Sequence, residues 1–170
     1  EKALDAFISA SEINDQNPDL WFRISALWER QNNTVKAKLA MLRAVELSPE
    51  SKLYLRQLVF LQEKELGQAI HGKTIKIQED LRQTLLHMLK LFPDSSWAEA
   101  HFGNWAWSQE KYATAEKHLR RALILKSNYP WASFRLGVVY LSQKKWEAAL
   151  LSFEEGLKND AENEWAIQQV

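Results

Sequence analysis

Cysteine is absent from the 170 residues, which excludes disulfides and thiolate metal sites and leaves the redox compartment open. No apolar run reaches about 18 residues, so no membrane-spanning helix and no membrane insertion are expected. Neither charge sign is in excess, since 22 basic residues balance 22 acidic ones. That neutrality argues against generic binding to nucleic acid or anionic lipid. No segment alternates in the manner of a β-strand. The histidines, His71, His87, His101 and His118, form no i, i+4 pair, so no metal site is expected. No serine or acid stands beside a histidine in a recognisable nucleophilic order. Neither catalysis nor a cofactor is expected from this composition.

What the chain does contain is a fixed period. Trp97-Ala98, Trp131-Ala132 and Trp165-Ala166 recur at steps of 34 residues. Phe102-Gly103 aligns with Leu136-Gly137, Tyr112 with Trp146, Ala115 with Ala149, Leu119 with Phe153, and Ala122 with Gly156. A period of this size is one supersecondary unit copied along the chain. Leu136 and Tyr140, then Ala149 and Phe153, recur at three- and four-residue steps, which places each set on one helical face. Small residues at Gly137, Ala149 and Gly156 let helix backbones approach closely. One helix pair cannot cover its own apolar face, so neighbours must stack.

The unit from Pro130 to Asn163, with Leu136, Gly137, Tyr140, Ala149 and Phe153, resembles the tetratricopeptide repeat, whose pattern is a helix–turn–helix with L-G-x2-Y and then A-x3-F. The preceding unit keeps Phe102, Gly103, Tyr112, Ala115, Leu119 and Ala122. A third carries Trp21, Ile24, Ser25 and Trp28, then Ala37, Met41, Ala44 and Pro49. Trp21 and Trp28 are read as core. Ala3, Phe7 and Ala10 fall in the second helix of a still earlier repeat. The resemblance implies an all-α, right-handed solenoid of stacked helix–turn–helix units. Its expected divisions are 1–17 as a preceding second helix, repeats at 18–51, 52–95, 96–129 and 130–163, and the start of a further helix at 164–170. The chain reads as a fragment of a longer array, with apolar surface at both open ends through which self-association is expected.

The interval from Pro49 to Pro93 exceeds the period by about ten residues, where proline stops each helix. The sequence predicts helices over 51–66 and 74–91 with a spacer at 67–73, where Gly67 and Gly72 weaken helix. Gly67 to Thr74 also matches the phosphate-binding pattern G-x-x-x-x-G-K-[ST]. That motif requires a buried strand before it, whereas Leu58 to Leu66 reads as an amphipathic helix, so a spacer is the expected role. Asn32-Asn33-Thr34 fits a glycosylation sequon but carries little weight as a three-letter pattern.

In tetratricopeptide arrays the first helices of successive repeats line a concave groove. Carried onto this chain, the resemblance implies that Trp97, His101, Asn104 and Trp107 face it, with Trp131, Phe134, Arg135, Val138 and Leu141 beside them. Arg23 and Arg56 are the corresponding basic groups of earlier repeats. Trp131, Arg135, Val138 and Ser142 are spaced four, three and four, which keeps them on one helical stripe. Trp and Arg are the side chains most enriched at binding hot spots. The tryptophans also suit a second role, setting the register between repeats. Arg135, Asn104 and Trp107 have no packing duty evident from sequence. The family's chaperone-tail clamp does not map, because Ala100, Trp131, Trp165 and Gln169 stand where charged or amide residues are needed. The expected function is a protein-interaction scaffold whose groove takes a peptide or helix of mixed apolar and acidic character. The alternatives are a spacer or dimerisation segment, or a substrate-presenting array within a larger enzyme.

Overall fold

The computed structural model describes residues 2–69, 74–160, 162–163 and 167–168. Trp165, Ala166, Gln169, His71, Gly72 and Lys73 lie outside them. Among the described residues there are nine helices and no strand. They are α1 (Lys2–Ile13), α2 (Pro18–Arg30), α3 (Thr34–Leu47), α4 (Lys52–Gln68), α5 (Thr74–Leu91), α6 (Ser96–Ser108), α7 (Tyr112–Leu125), α8 (Pro130–Ser142) and α9 (Trp146–Leu157). The chain forms two compact units, residues 1–84 and 85–170, with α5 passing through the boundary. α4 continues through Gly67 to Gln68, one short step beyond the helix end read from sequence. A Cβ added at Gly67 would meet nothing within 4 Å, so this glycine is not required by packing.

In unit 1 the helices start where short polar side chains can hold their first N–H groups. The Asn17 carboxamide accepts from the N–H of Asp19 and Leu20, with Pro18 opening α2. Asn33 accepts from Lys36 N–H at the start of α3, and Ser51 from Tyr54 N–H at the start of α4. Such caps satisfy donors that the helix itself leaves free. Ala37, Met41, Ala44, Tyr54, Leu58 and Leu61 form one buried cluster, with Trp21, Phe22 and Trp28 against it. Leu4, Ile24 and Ala40 form a second, which Phe7 and Trp21 also flank. Trp21 and Trp28 are therefore packing residues, and the Trp21 indole N–H donates to the Asp15 carbonyl at 2.8 Å. Polar ties cross between hairpins: Lys38 Nζ lies 2.5 Å from Glu65 Oε2, and the Tyr54 hydroxyl donates to Asp19.

Unit 2 interlocks through its small residues. A Cβ on Gly103 would stand 2.7 Å from Leu119 Cγ, and one on Gly137 2.6 Å from the Phe153 ring. The glycines mark places where α6 meets α7 and α8 meets α9 too closely for any side chain. In unit 1 the aligned residue is Ser25, fully buried, whose hydroxyl donates to the Ala37 carbonyl at 2.8 Å. The hairpin turns repeat as well. Asn32, Glu110 and Lys144 all adopt φ near +60° (58°, 57° and 60°). Each is followed by an N–H that reaches back to a carbonyl in the last helical turn: Asn33 to Trp28, Lys111 to Ala106 and Lys145 to Tyr140, all at 2.9 Å. This is the left-handed C-terminal cap that closes a helix tightly enough for the next to fold back.

Candidate functional site

The stripes on α6 and α8 converge in unit 2. α6 begins at buried Ser95, whose hydroxyl accepts from Ala98 N–H at 3.2 Å, and α8 begins with Pro130 in its first turn. With both starts fixed, Trp97 and His101 on α6 face Trp131 on α8. The Trp97 and His101 ring centroids are 3.9 Å apart, and those of His101 and Trp131 are 4.7 Å apart at an interplanar angle of 21°. Tyr129 extends the series, 6.1 Å from Trp131. Cations cover two of the rings: Arg135 Cζ lies 5.3 Å from the Trp131 centroid, and Lys126 Nζ 5.0 Å from that of Tyr129. The result is a ladder of four rings topped by two cations, each of whose rings is only partly buried. Offset aromatic contacts and cation–π contacts each contribute about 0.5–1.5 kcal/mol beyond area burial.

The structure places the other expected groove residues differently. The Trp107 indole N–H donates to Ser142 Oγ at 3.0 Å, tying α6 to α8, so this residue has a structural contact that its sequence position does not reveal. Arg135 likewise has one, over Trp131. Phe134 is 7% exposed and its ring fills the space above Gly156, where a Cβ would come within 2.2 Å. It belongs to the α8–α9 core rather than to a groove, because one step along a helix turns a side chain by about 100° away from the Trp131–Arg135 stripe. Asn104 lies on the α6 stripe, and its amide oxygen is out of contact with solvent with no hydrogen-bond partner. Arg23 and Arg56 are exposed on α2 and α4 of unit 1, whereas the ladder lies in unit 2.

The fold also brings one acid to a histidine, a pairing that the order of residues does not reveal. His118 Nδ1 on α7 lies 2.6 Å from Glu99 Oε2 on α6, with the Phe102 ring centroid 4.5 Å from the imidazole. Nineteen residues separate the two, and only the α6–α7 hairpin brings them together. Among the described residues no cluster of three or more His, Cys, Asp or Glu is placed to hold a metal ion, and no helix is long and apolar enough to cross a membrane. Tyr129, Lys126 and Ser142 complete the ladder and its tie. The signal for Tyr129 was its place beside Pro130, immediately before a helix that must begin there.

Comparison with known proteins agrees with this architecture. A tetratricopeptide-repeat family model matches residues 106–168. Protein O-mannosyl-transferase TMTC3 of Homo sapiens is 27% identical over 158 residues, which are 92% of this chain and 16% of that protein. The chain thus spans about one sixth of the length of the curated relative it matches. Among solved structures, TTC0263, a thermophilic tetratricopeptide-repeat protein of Thermus thermophilus, superposes with a TM-score of 0.76 at 18% identity, covering 98% of this chain and 87% of that one. MamA of Desulfovibrio magneticus RS-1 gives 0.77 at 12% identity over 96% and 86% of the two chains. PilF of Pseudomonas aeruginosa gives 0.75 at 15% identity over 96% and 70%. The described helices thus share the fold of solved tetratricopeptide-repeat proteins, and residues 106–168 match that family's model.

Proposed function

We propose that the α6–α8 stripe of unit 2 binds a peptide segment or helix of a protein partner with mixed apolar and acidic character. Tetratricopeptide folds generally serve as protein-interaction scaffolds, which supports the class. The observation that carries the finer reading is the ladder itself: Trp97, His101 and Trp131 are stacked yet not fully buried, with Arg135 over the Trp131 ring. Trp97, Trp131 and Arg135 keep part of their surface open to solvent, and truncating Trp or Arg anchors at interfaces costs about 2–4 kcal/mol. A stacked ladder is also preorganised, so a partner would spend little entropy in ordering it. The unpartnered amide oxygen of Asn104 sits on the same stripe. A donor from a bound segment, reached by rotation of the carboxamide, would relieve the cost of leaving it unpaired, about 1–3 kcal/mol.

The test is capture of partners by the chain and by a Trp97→Ala, Trp131→Ala, Arg135→Ala variant whose helicity is verified by circular dichroism. A partner identified by mass spectrometry that is lost with the variant supports the reading. Equal capture by both forms assigns the ladder to inter-repeat register instead. A second reading is favoured by the extent of similarity to an O-mannosyl-transferase: the array presents a protein substrate to a catalytic region elsewhere in a longer chain. Crosslinking that finds the captured partner to be a mannosylated protein supports this second reading.

A further inference from the structure

A second surface of unit 2 lies between α7 and α9. On α8, Leu136 and Tyr140 point roughly 100–180° away from the Trp131–Arg135 stripe at 3.6 residues per turn, toward the side that α7 and α9 flank. There they floor a depression of about 450 Å³ whose walls include Leu123, Ile124 and Leu151. Ile124 and Leu151 are 74% and 65% exposed, so two large apolar side chains face water across one cleft. A second depression, of about 560 Å³, is lined by Lys117, His118, Arg120, Arg121, Ile124 and Glu99. Arg120 and Ile124 line both, so the two adjoin on α7.

The charge of this strip departs from that of the chain. The whole sequence is neutral, yet the second depression is lined by three cations and one carboxylate, Glu99, which is itself engaged by His118 at 2.6 Å. Lys117, Arg120, Arg121 and Ile124 follow at three- and four-residue steps, so they form one stripe on α7. The carboxylates beside this stripe are Asp94, 3.2 Å from Arg121, and Glu116, which meets Lys145 at 3.3 Å and Arg120 at 3.7 Å. Both arginines are exposed, at 64% and 46% of their side-chain area. Exposed pairs of this kind are weak and exchange readily for a better-placed carboxylate.

We infer that the α7–α9 cleft docks an acidic amphipathic helix of a partner protein. Its apolar residues would seat against Ile124 and Leu151, with Asp or Glu one and two turns further on facing Arg120, Arg121 and Lys117. The seven residue steps from Lys117 to Ile124 span about 10 Å of helix, or two turns, which sets that spacing. A helix laid in an apolar groove with flanking charge is a general recognition mode, and opposite charge fixes its direction and register. This surface is separate from the ladder and does not depend on it.

The experiment is selection of a displayed random-peptide library, each member about four helical turns long, on the intact chain. Counter-selection uses an Ile124→Ser, Leu151→Ser, Arg120→Glu variant, whose changed residues are all exposed, with circular dichroism to show that it remains helical. The expected survivors carry Leu, Ile or Phe followed by Asp or Glu at one- and two-turn spacing. A synthetic survivor should bind with an affinity reduced about tenfold or more by Lys117→Glu with Arg121→Glu, and unchanged by Trp131→Ala. Replacing its acids by lysine should restore binding to the charge-reversed chain. The inference is overturned if no peptide survives counter-selection, or if survivors are basic or lack the apolar spacing. It is also overturned if sedimentation shows that the variant merely dissociates a dimer, since the cleft would then belong to a second copy.

Discussion

At the scale of single residues, two kinds of position carry sharp consequences. Gly103 and Gly137 hold hairpins at a distance that excludes a methyl group: the fixed backbone of Ala115 and Leu119 stands 3.2 Å from a Cβ at Gly103, and the fully buried Phe153 ring 2.6 Å from one at Gly137. Neither neighbour can withdraw without moving a packed helix. Gly103→Ala and Gly137→Ala should each destabilise the fold by about 1–3 kcal/mol, the usual cost of overpacking, read as a lower denaturation midpoint at unchanged slope. The opposite sign applies at Glu110, which holds φ at +57° in an exposed turn. A left-handed conformation burdens a residue with a Cβ. Glu110→Gly should stabilise by about 0.5–1 kcal/mol after the greater freedom of unfolded glycine is offset. Asn32, in the same geometry, should gain less from the same change, because asparagine tolerates that region.

Between elements, the polar tie with the clearest pH signature joins α4 to α2. Burial, reinforced by the Asp19 carboxylate that its hydroxyl bonds, pushes Tyr54 from 10.0 up to about 12. The raised value means the folded chain keeps this proton where the unfolded chain has released it. The stabilisation is therefore complete below about pH 10 and is lost as pH rises from there through about 12. Tyr54→Phe should be less stable at neutral pH but should lack that part of the alkaline decline. Chemical denaturation from about pH 8 to 12 should show the two stability curves converging; parallel curves would mean that the tie contributes nothing. Tyr140 is shifted in the same direction, by burial first and then by Glu116, so unit 2 carries a related alkaline sensitivity.

For the molecule as a whole, the principal helix packing is between chain neighbours: α1 with α2, α2 with α3, α3 with α4, α6 with α7, α7 with α8, and α8 with α9, with α6 also touching α8. Stability in such a topology is a sum of local and nearest-neighbour contributions. Phe153→Ala, which empties a fully buried site, should cost about 3–5 kcal/mol. The loss should be local. Amide hydrogen exchange should show protection falling in α8 and α9 while α2 and α3 of unit 1 stay protected. Uniform loss across all helices would show a single cooperative fold instead.

The repeat period, the helix class and the contact-making small residues were all legible in the residues alone, because 34-residue spacing and three-and-four periodicity are properties of the chain order. Trp97, His101, Trp131 and Arg135 were likewise legible as one surface, since their stripe follows from helix geometry and the family register. The tertiary structure decided what the stripe does locally: that rings from α6 and α8 stack, that Trp107 is spent on Ser142, and that Phe134 turns inward over Gly156. It also decided the Glu99–His118 pair and the α7–α9 cleft. These depend on how two helices are rotated and how near they lie. Rotation and approach are set by which small residue meets which ring across an interface, a matter of three-dimensional fit that no spacing along one helix encodes.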